Sequence, residues 1–295
     1  MIYLIGSIVL TSYLTLSFKA CEKYGVNVFQ AIVFNYITCV ITGSIVNGAF
    51  PIHAENMQTP WFGWAMIMGV MFVSIFNIVA ITAQKNGVAV ASVANKLSLI
   101  IPVVLSVYLY RETVAGWKAV GVVLALLAVV LTCYTKAKNE TTTKRNGWIY
   151  LLPFVLFVSS GLLDALINHV QLTYVTTENS NDYLVSSFFS AATIGSLILL
   201  IQLIRRKQHF VWKNLFAGVL IGIPNYFSIW CLVHFLQASP WQTSASIPVN
   251  NMGIVLFSAV VAWLLFKERL TIINWLGILL SLVAIYLIAF GDQLA

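Results

Sequence analysis

The stretch Tyr110–Leu131, YRETVAGWKAVGVVLALLAVVL, recurs without a gap as Phe266–Leu287, FKERLTIINWLGILLSLVAIYL. Glu112 falls on Glu268, Gly121 on Gly277 and, further upstream, Asn95 on Asn251. A fainter echo pairs the IYL at Ile2 with the IYL at Ile149. Each copy is a short charged cluster followed by an apolar run, and roughly 20 apolar residues are what a helix needs to cross a bilayer. Working outward from the repeat, apolar runs bounded by polar or turn residues predict spans at Ile2–Phe18, Val28–Val46, Trp61–Ala83, Val88–Tyr110 and Gly116–Tyr134. Five more are predicted at Trp148–Val170, Tyr183–Ile204, Leu215–Leu236, Thr243–Phe266 and Ile272–Phe290.

The composition agrees with this pattern. Residues of the hydrophobic class make up 60% of the chain and charged residues only 8%, against about 25% charged for a globular domain. Runs this long are far beyond barrel strands, and backbone groups in hydrocarbon must be satisfied within their own segment, so the spans are helices. The first run has no basic n-region and no cleavage pattern before Lys19, and it is expected to be retained. The longest polar stretch, KAKNETTTKRN at 136–146, divides the chain into five spans in 1–135 and five in 147–295. An odd number of spans per half makes the second copy enter the membrane with opposite polarity, so the expected fold is all-α integral membrane, ten transmembrane helices as two inverted five-helix repeats.

The charged pairs Arg111-Glu112 and Lys267-Glu268 each close a fourth-in-half helix, and a glycine-containing, Leu/Val-rich fifth helix follows each. On these residues the chain resembles the ten-helix EamA-like members of the drug/metabolite transporter superfamily over nearly its whole length. The resemblance implies a multi-pass protein of a bacterial cytoplasmic (inner) membrane that moves small molecules, and it leaves the cargo open. No cofactor is implied. Members are usually drawn with both termini in the cytoplasm.

Charge points the other way. The net charge is +7 with 16 Lys and Arg. Setting the intramembrane Lys96 aside, only Arg111 and Lys118 lie on one side of the predicted membrane, and the other cations lie on the opposite side. Cations in short loops are retained in the cytoplasm, so both termini are expected outside. The cations sit in short loops and form no separate basic face, which argues against nucleic acid and for lipid headgroups as their partner. The chain is expected to act as a monomer or homodimer.

Lys96 and Asp164 are the only formal charges well inside predicted spans, and each costs about 2.5 to 3.5 kcal/mol near a helix centre. Ser92, Asn95 and Lys96 share one face of the fourth helix, while Ser160, Asp164 and Asn168 recur every four residues on the sixth. Both stripes are expected to face an interior cavity. There Lys96 would hold a carboxylate or phosphate, and Asp164 would hold an amine or take up a proton. The alternative is that the two charges neutralise each other or bond backbone carbonyls as packing groups. Counting from the span ends puts them at depths about 12 Å apart, so they need not touch.

A second tier comprises Asn35, Tyr36, Asn77, Asn225, Tyr226, Trp230, Asn250 and Asn251, expected as substrate contacts or as amides and aromatics that tie helices together. Pro102, Pro224 and Pro248 interrupt spans and are expected to kink them. Glu112 and Glu268 are expected to complement the dipoles of the fifth and tenth helices as structural acids. The spacings Gly121 to Ala125 and Gly277 to Ser281 suit close helix contact, within one chain or across a dimer. Cys39, Cys133 and Cys231 read as small hydrophobes, and Asn139 in NET heads a chance glycosylation match. His53, His169, His209 and His234 have no metal spacing, and no HExxH, GxSxG or phosphate loop occurs, so an enzyme and a metal site are not expected. The leading expectation is a secondary transporter of a small polar or zwitterionic, amino-acid-like metabolite working by alternating access. The runners-up are a multidrug or organic-cation exporter and, in another class, a lipid-headgroup-handling protein or membrane enzyme.

Overall fold

The computed structural model describes residues 1–48, 50, 56–102, 105, 116–133, 148–176, 179–238, 243–268 and 270–291. Among these the regular structure is helical: α1 (Ile2–Lys23), α2 (Val28–Asn47), α3 (Pro60–Lys85), α4 (Val88–Leu97), α5 (Gly116–Cys133), α6 (Trp148–Tyr174), α7 (Ser180–Ile204), α8 (Trp212–Ala238), α9 (Thr243–Phe266) and α10 (Ile272–Phe290), with a 3-10 turn at Asn56–Gln58. Eight of these are long and apolar enough to cross a membrane, and α4 and α5 are shorter apolar helices. The chain is therefore an all-helical, multi-pass membrane protein. Lys19 lies within α1, and Lys23 and Lys85 are the last residues of α1 and α3, not loop residues; a cation at a helix end complements the exposed carbonyls there. Glu112, Arg111, Lys136 and Asn139 lie outside the described residues.

Each long helix carries an apolar outer stripe. On α10 the exposed residues are Ile272, Leu276, Leu279, Val283 and Tyr286, while Asn274, Gly277, Ile278, Ser281, Ala284 and Ile285 are buried. That is a helical period with large apolar groups facing outward, as lipid requires.

The helices form two compact units, each drawn from both halves of the sequence. One comprises Met1–Lys19, Ile78–Asp164 and Ser228–Ala295, and the other Ala20–Asn77 and Ala165–Phe227. In the first, α4 packs against α5, α9 and α10 around Val93, Leu97, Ala125, Ala128, Val255, Ile278 and Ile285. Its tightest seam joins α5 to α10. Gly121 faces Ile288, Gly277 faces Thr132 and Gly291 faces Lys118, so the two helices run antiparallel. A methyl added at Gly277 would lie 2.6 Å from the Thr132 backbone nitrogen, so the small residues flagged by spacing serve contact within the chain. The seam is reciprocal, because Thr132 follows Gly121 by as many residues as Ile288 follows Gly277.

The second unit repeats this device. Gly43 of α2 faces Val185 of α7, and Gly195 of α7 faces Val33 of α2. Val33 precedes Gly43 by as many residues as Val185 precedes Gly195, and a serine follows each glycine. At one end of this unit, Asn214 accepts from the Asn27 backbone N–H at 3.0 Å and donates to Gln30 Oε1 at 2.8 Å. The Gln30 amide donates onward to Gln208 Oε1 and the His209 carbonyl. These bonds fasten the start of α2 to the start of α8.

Candidate functional site

The site begins at the turn that launches α4. Gly87 has φ 107°, a backbone that L side chains rarely adopt, and an added Cβ there would sit 3.1 Å from the Glu268 carboxylate. Glu268 accepts from the Val88 N–H at 2.9 Å and so caps the first turn of α4. Glu268 stands one turn before α10, and its hydrogen bond goes to α4. The N-cap of α10 is instead Thr271, reciprocally bonded with Asn274, which frees Glu268 to meet the exposed N–H groups of another helix. Burial holds the Glu268 carboxyl above the usual carboxylate range, against the Val88 N–H, Lys19 and the Ala89 N–H. Lys19 reaches the Gln84 carbonyl at 2.8 Å, and Gln84 returns a bond to the Phe18 carbonyl, which locks the end of α1 to this turn.

Prolines in α6 and just past α4 shape the backbone around the charges. Pro153 lies inside α6, and by removing an N–H it frees the Ile149 carbonyl one turn upstream. Asn86 fills that carbonyl at 3.1 Å. Pro102 acts similarly on α4, whose regular hydrogen bonding stops at Leu97. The ring of a proline clashes with the carbonyl four residues earlier, here Ser98. The Ser98 carbonyl accepts instead from the Ile101 N–H at 2.9 Å, in a tight turn. Pro224 lies inside α8 and Pro248 within α9.

The break in α4 sets Ser98 against Asp164. Ser98 Oγ lies 3.1 Å from Asp164 Oδ2 and 2.5 Å from the Asn95 carbonyl. Lys96, two residues before Ser98, is close enough for mutual electrostatic attraction with Asp164. The turn that follows Leu97 sets Ser98, two residues beyond Lys96, against Asp164. Close packing of Gly161 against Ile101 holds α6 beside this turn.

Asp164 is exposed, although protein atoms ring it. The outer, lipid-facing stripe of α6 is marked by exposed Leu151, Phe154 and Leu162. Two residues beyond Leu162 is a rotation of about 200° around the helix, so Asp164 opens on the side away from that stripe. Ser160, one turn earlier on the same face, is buried, as is Ser92 on α4. The hydroxyls of Ser92 and Ser160 and the amide oxygen of Asn250 have no hydrogen-bond partner among the described residues. Buried polar atoms in a membrane helix are normally satisfied, and the Tyr36 hydroxyl and the Asn35 amide of the second unit likewise have a bond open among the described residues. Asn251 is buried and Asn95 and Lys96 are half-buried in the same unit. The side chain of Asn168 lies outside the described residues.

The remaining sequence candidates sit elsewhere. Asn35 is fully buried in the second unit, where its Oδ1 accepts from Asn225 Nδ2 at 3.1 Å while its own Nδ2 has no partner among the described residues. Cys39 adds a weak bond to the same oxygen. Tyr36 is enclosed by Phe72, Phe76 and Phe188, and Tyr226 packs against Gly43. Asn77 is half-buried and donates to the Val73 carbonyl of its own helix. Trp230 belongs to the first unit, packed at a tilt against His234 with ring centroids 3.8 Å apart and edged by Tyr3. Sequence reasoning missed Ser98 and the Tyr3–Trp230–His234 cluster. Ser98 carried a usable signal, a hydroxyl residue four before a proline.

No model of a known protein family matches the chain. The chain is 23% identical over 298 residues to an uncharacterized protein of Haemophilus influenzae, covering 99% of this chain and 98% of that one. A solved crystal structure, 14% identical, superposes with a TM-score of 0.63 over 100% of this chain and 96% of its own. The chain thus shares its fold, end to end, with that structure.

Proposed function

We propose that the chain is a secondary transporter of a small polar or zwitterionic metabolite, built as ten spans in two inverted five-helix repeats. The observation that carries the reading is the Ser98–Asp164 contact where α4 stops, with Lys96 two residues before Ser98 and Asp164 exposed on the side of α6 opposite Leu151, Phe154 and Leu162. A cation, an anion and unpartnered hydroxyls in one unit match the carboxylate, amine and polar edges of an amino-acid-like solute. Discontinuous helices bearing such groups are how transporters of inverted-repeat type hold their cargo near mid-membrane.

The inverted repeat is supported by the reciprocal seams. When residue i of one segment meets residue j of the other and the equivalents exchange places, the contact is what a two-fold axis produces. The α5–α10 and α2–α7 pairs both have this form, and both are antiparallel, as oppositely inserted halves demand. Loop charge places both termini outside, and the membrane is a bacterial cytoplasmic membrane.

A thermal-shift screen of purified protein against a metabolite library tests the reading, since ligand binding raises apparent stability by mass action. Zwitterionic or carboxylate-bearing hits that stabilise the wild type and fail to stabilise Lys96→Met and Asp164→Asn are expected. Hits confined to hydrophobic cations, or indifferent to both substitutions, would overturn it.

A further inference from the structure

Resting on the transporter reading, and naming how its site is coupled, we infer that Ser98 reports the protonation state of Asp164 to the break in α4. The geometry sets two acceptors before one hydrogen. Ser98 Oγ lies 2.5 Å from the Asn95 carbonyl and 3.1 Å from Asp164 Oδ2, and a hydroxyl has a single proton to donate. A carboxylate is acceptor-only. With Asp164 ionised, the Ser98 hydrogen must point at Asp164, and the Asn95 carbonyl loses its partner. With Asp164 protonated, the acid O–H donates to Ser98 Oγ, and Ser98 donates to the Asn95 carbonyl. Both contacts are then satisfied at once.

The state of that carbonyl matters because α4 ends at Leu97 and its last carbonyls have no partner in their own helix. Asn95 is one of them, and Lys96 follows it directly. Losing the proton from Asp164 to water therefore releases the turn that holds Lys96 and gives Lys96 a full negative charge to attract. Gaining it relaxes that attraction and closes the Asn95–Ser98 bond. Among the described residues the groups that bear electrostatically on Asp164 are Lys96 and Ser98, both from α4 and its closing turn. The core residues nearby on α5, α9 and α10, Ala125, Ala128, Val255, Ala259, Ile278 and Ile285, carry no charge.

The corresponding junction in the other half has no such device. The repeat register that carries Asn95 onto Asn251 carries Ser98 onto Ile254, and Ile254 offers its backbone carbonyl to Ser12 Oγ at 3.4 Å. Neither of those groups titrates. The switch belongs to one half only. Ser98 is a positioning residue in it, and Asp164 carries the proton.

Two substrate-free measurements on the full-length protein in lipid test this. The first is an infrared pH titration of the protonated-carboxyl stretch. A component that Asp164→Asn removes is expected, and it should move to higher frequency in Ser98→Ala and stay in place in Ser98→Thr. The second is amide hydrogen exchange at the α4 turn, corrected for intrinsic rate. Protection there should change several-fold across the same titration in the wild type and be flat in Asp164→Asn and Ser98→Ala. A carboxyl band indifferent to Asp164→Asn, an unshifted band in Ser98→Ala, or wild-type exchange that does not follow pH would each overturn the switch. Since neither readout uses a solute, such a failure leaves the transporter reading to the library screen, and a failed screen leaves the switch standing.

Discussion

Replacing Gly277 with alanine puts a methyl group into the close seam between α5 and α10. The added Cβ would sit 2.6 Å from the Thr132 backbone nitrogen and 3.0 Å from the Leu131 carbonyl carbon. Neither neighbour is a side chain that can rotate away, and carbon contacts relax only at about 3.5 to 4.0 Å. The helices α5 and α10 must therefore part by about 1 Å, which forfeits a quarter to a half of the dispersion along the seam. The separation also strains the bond from Asn274 Nδ2 to the Thr132 carbonyl at 2.8 Å. Overpacking costs typically 1 to 3 kcal/mol, and the backbone clash puts this site near 3 kcal/mol. Alanine returns about 1 kcal/mol of helix propensity over glycine, leaving a net loss of roughly 2 kcal/mol. Gly63 in α3 supplies the control, because an added Cβ there meets nothing within 4 Å. Gly63→Ala should match or slightly exceed the wild type. The assay is thermal unfolding in one detergent, with chromatography confirming monodisperse protein. A Gly277→Ala protein as heat-stable as Gly63→Ala would refute the close antiparallel seam.

Asn214→Ala leaves Gln30 Oε1 and the Asn27 N–H without partners; each orphaned group costs about 1 to 3 kcal/mol, so a clear drop in unfolding temperature is expected. Glu268→Ala removes the cap of α4 at a cost of about 1 kcal/mol, whereas Glu268→Gln keeps an acceptor for the Val88 N–H. A carboxyl raised in the fold takes up protons on folding. The Glu268 contribution is full below the ordinary carboxylate value and is lost as pH rises through the folded value. Wild-type stability should therefore fall relative to Glu268→Gln as pH rises from weakly acidic toward neutral, and parallel pH profiles would contradict this. A C-terminal reporter active only in the cytoplasm should stay dark, and a bright one would reverse the orientation drawn from loop charge.

Much of the fold is legible in the sequence because lipid imposes a blunt rule on long apolar runs. The spans at Ile272–Phe290 and Thr243–Phe266 coincide with α10 and α9 to the residue. Helix ends are less legible where amphipathic cations extend a helix past the apolar run, as Lys19 and Lys23 do in α1. The α5–α10 kinship is visible in Gly121 and Gly277, whereas the α2–α7 kinship rests on a valine and a Gly-Ser pair, too sparse to align until the contacts are seen. Of the candidate site, the charges and hydroxyls stand out as isolated polar residues among apolar ones. Their meeting does not, because it depends on where α4 breaks. Pro102 marks the proline, and the broken bond lies one turn earlier at Ser98. As letters in a sequence, Asn35 and Tyr36 look no different from Ser92 and Asn250; all four are buried, and only their neighbours separate them, Asn35 and Tyr36 lying among Asn225, Cys39 and the Phe72–Phe188 rings of the second unit.

Solute counterflow in proteoliposomes, using a metabolite that stabilises the purified protein, tests the central claim most directly. Labelled solute should accumulate transiently and saturably in vesicles carrying the wild type and preloaded with unlabelled solute. It should fail to do so with Lys96→Met or Asp164→Asn. Equal counterflow in both variants, or none with any binding metabolite in the wild type, would contradict a transporter whose cargo is held by Lys96 and Asp164.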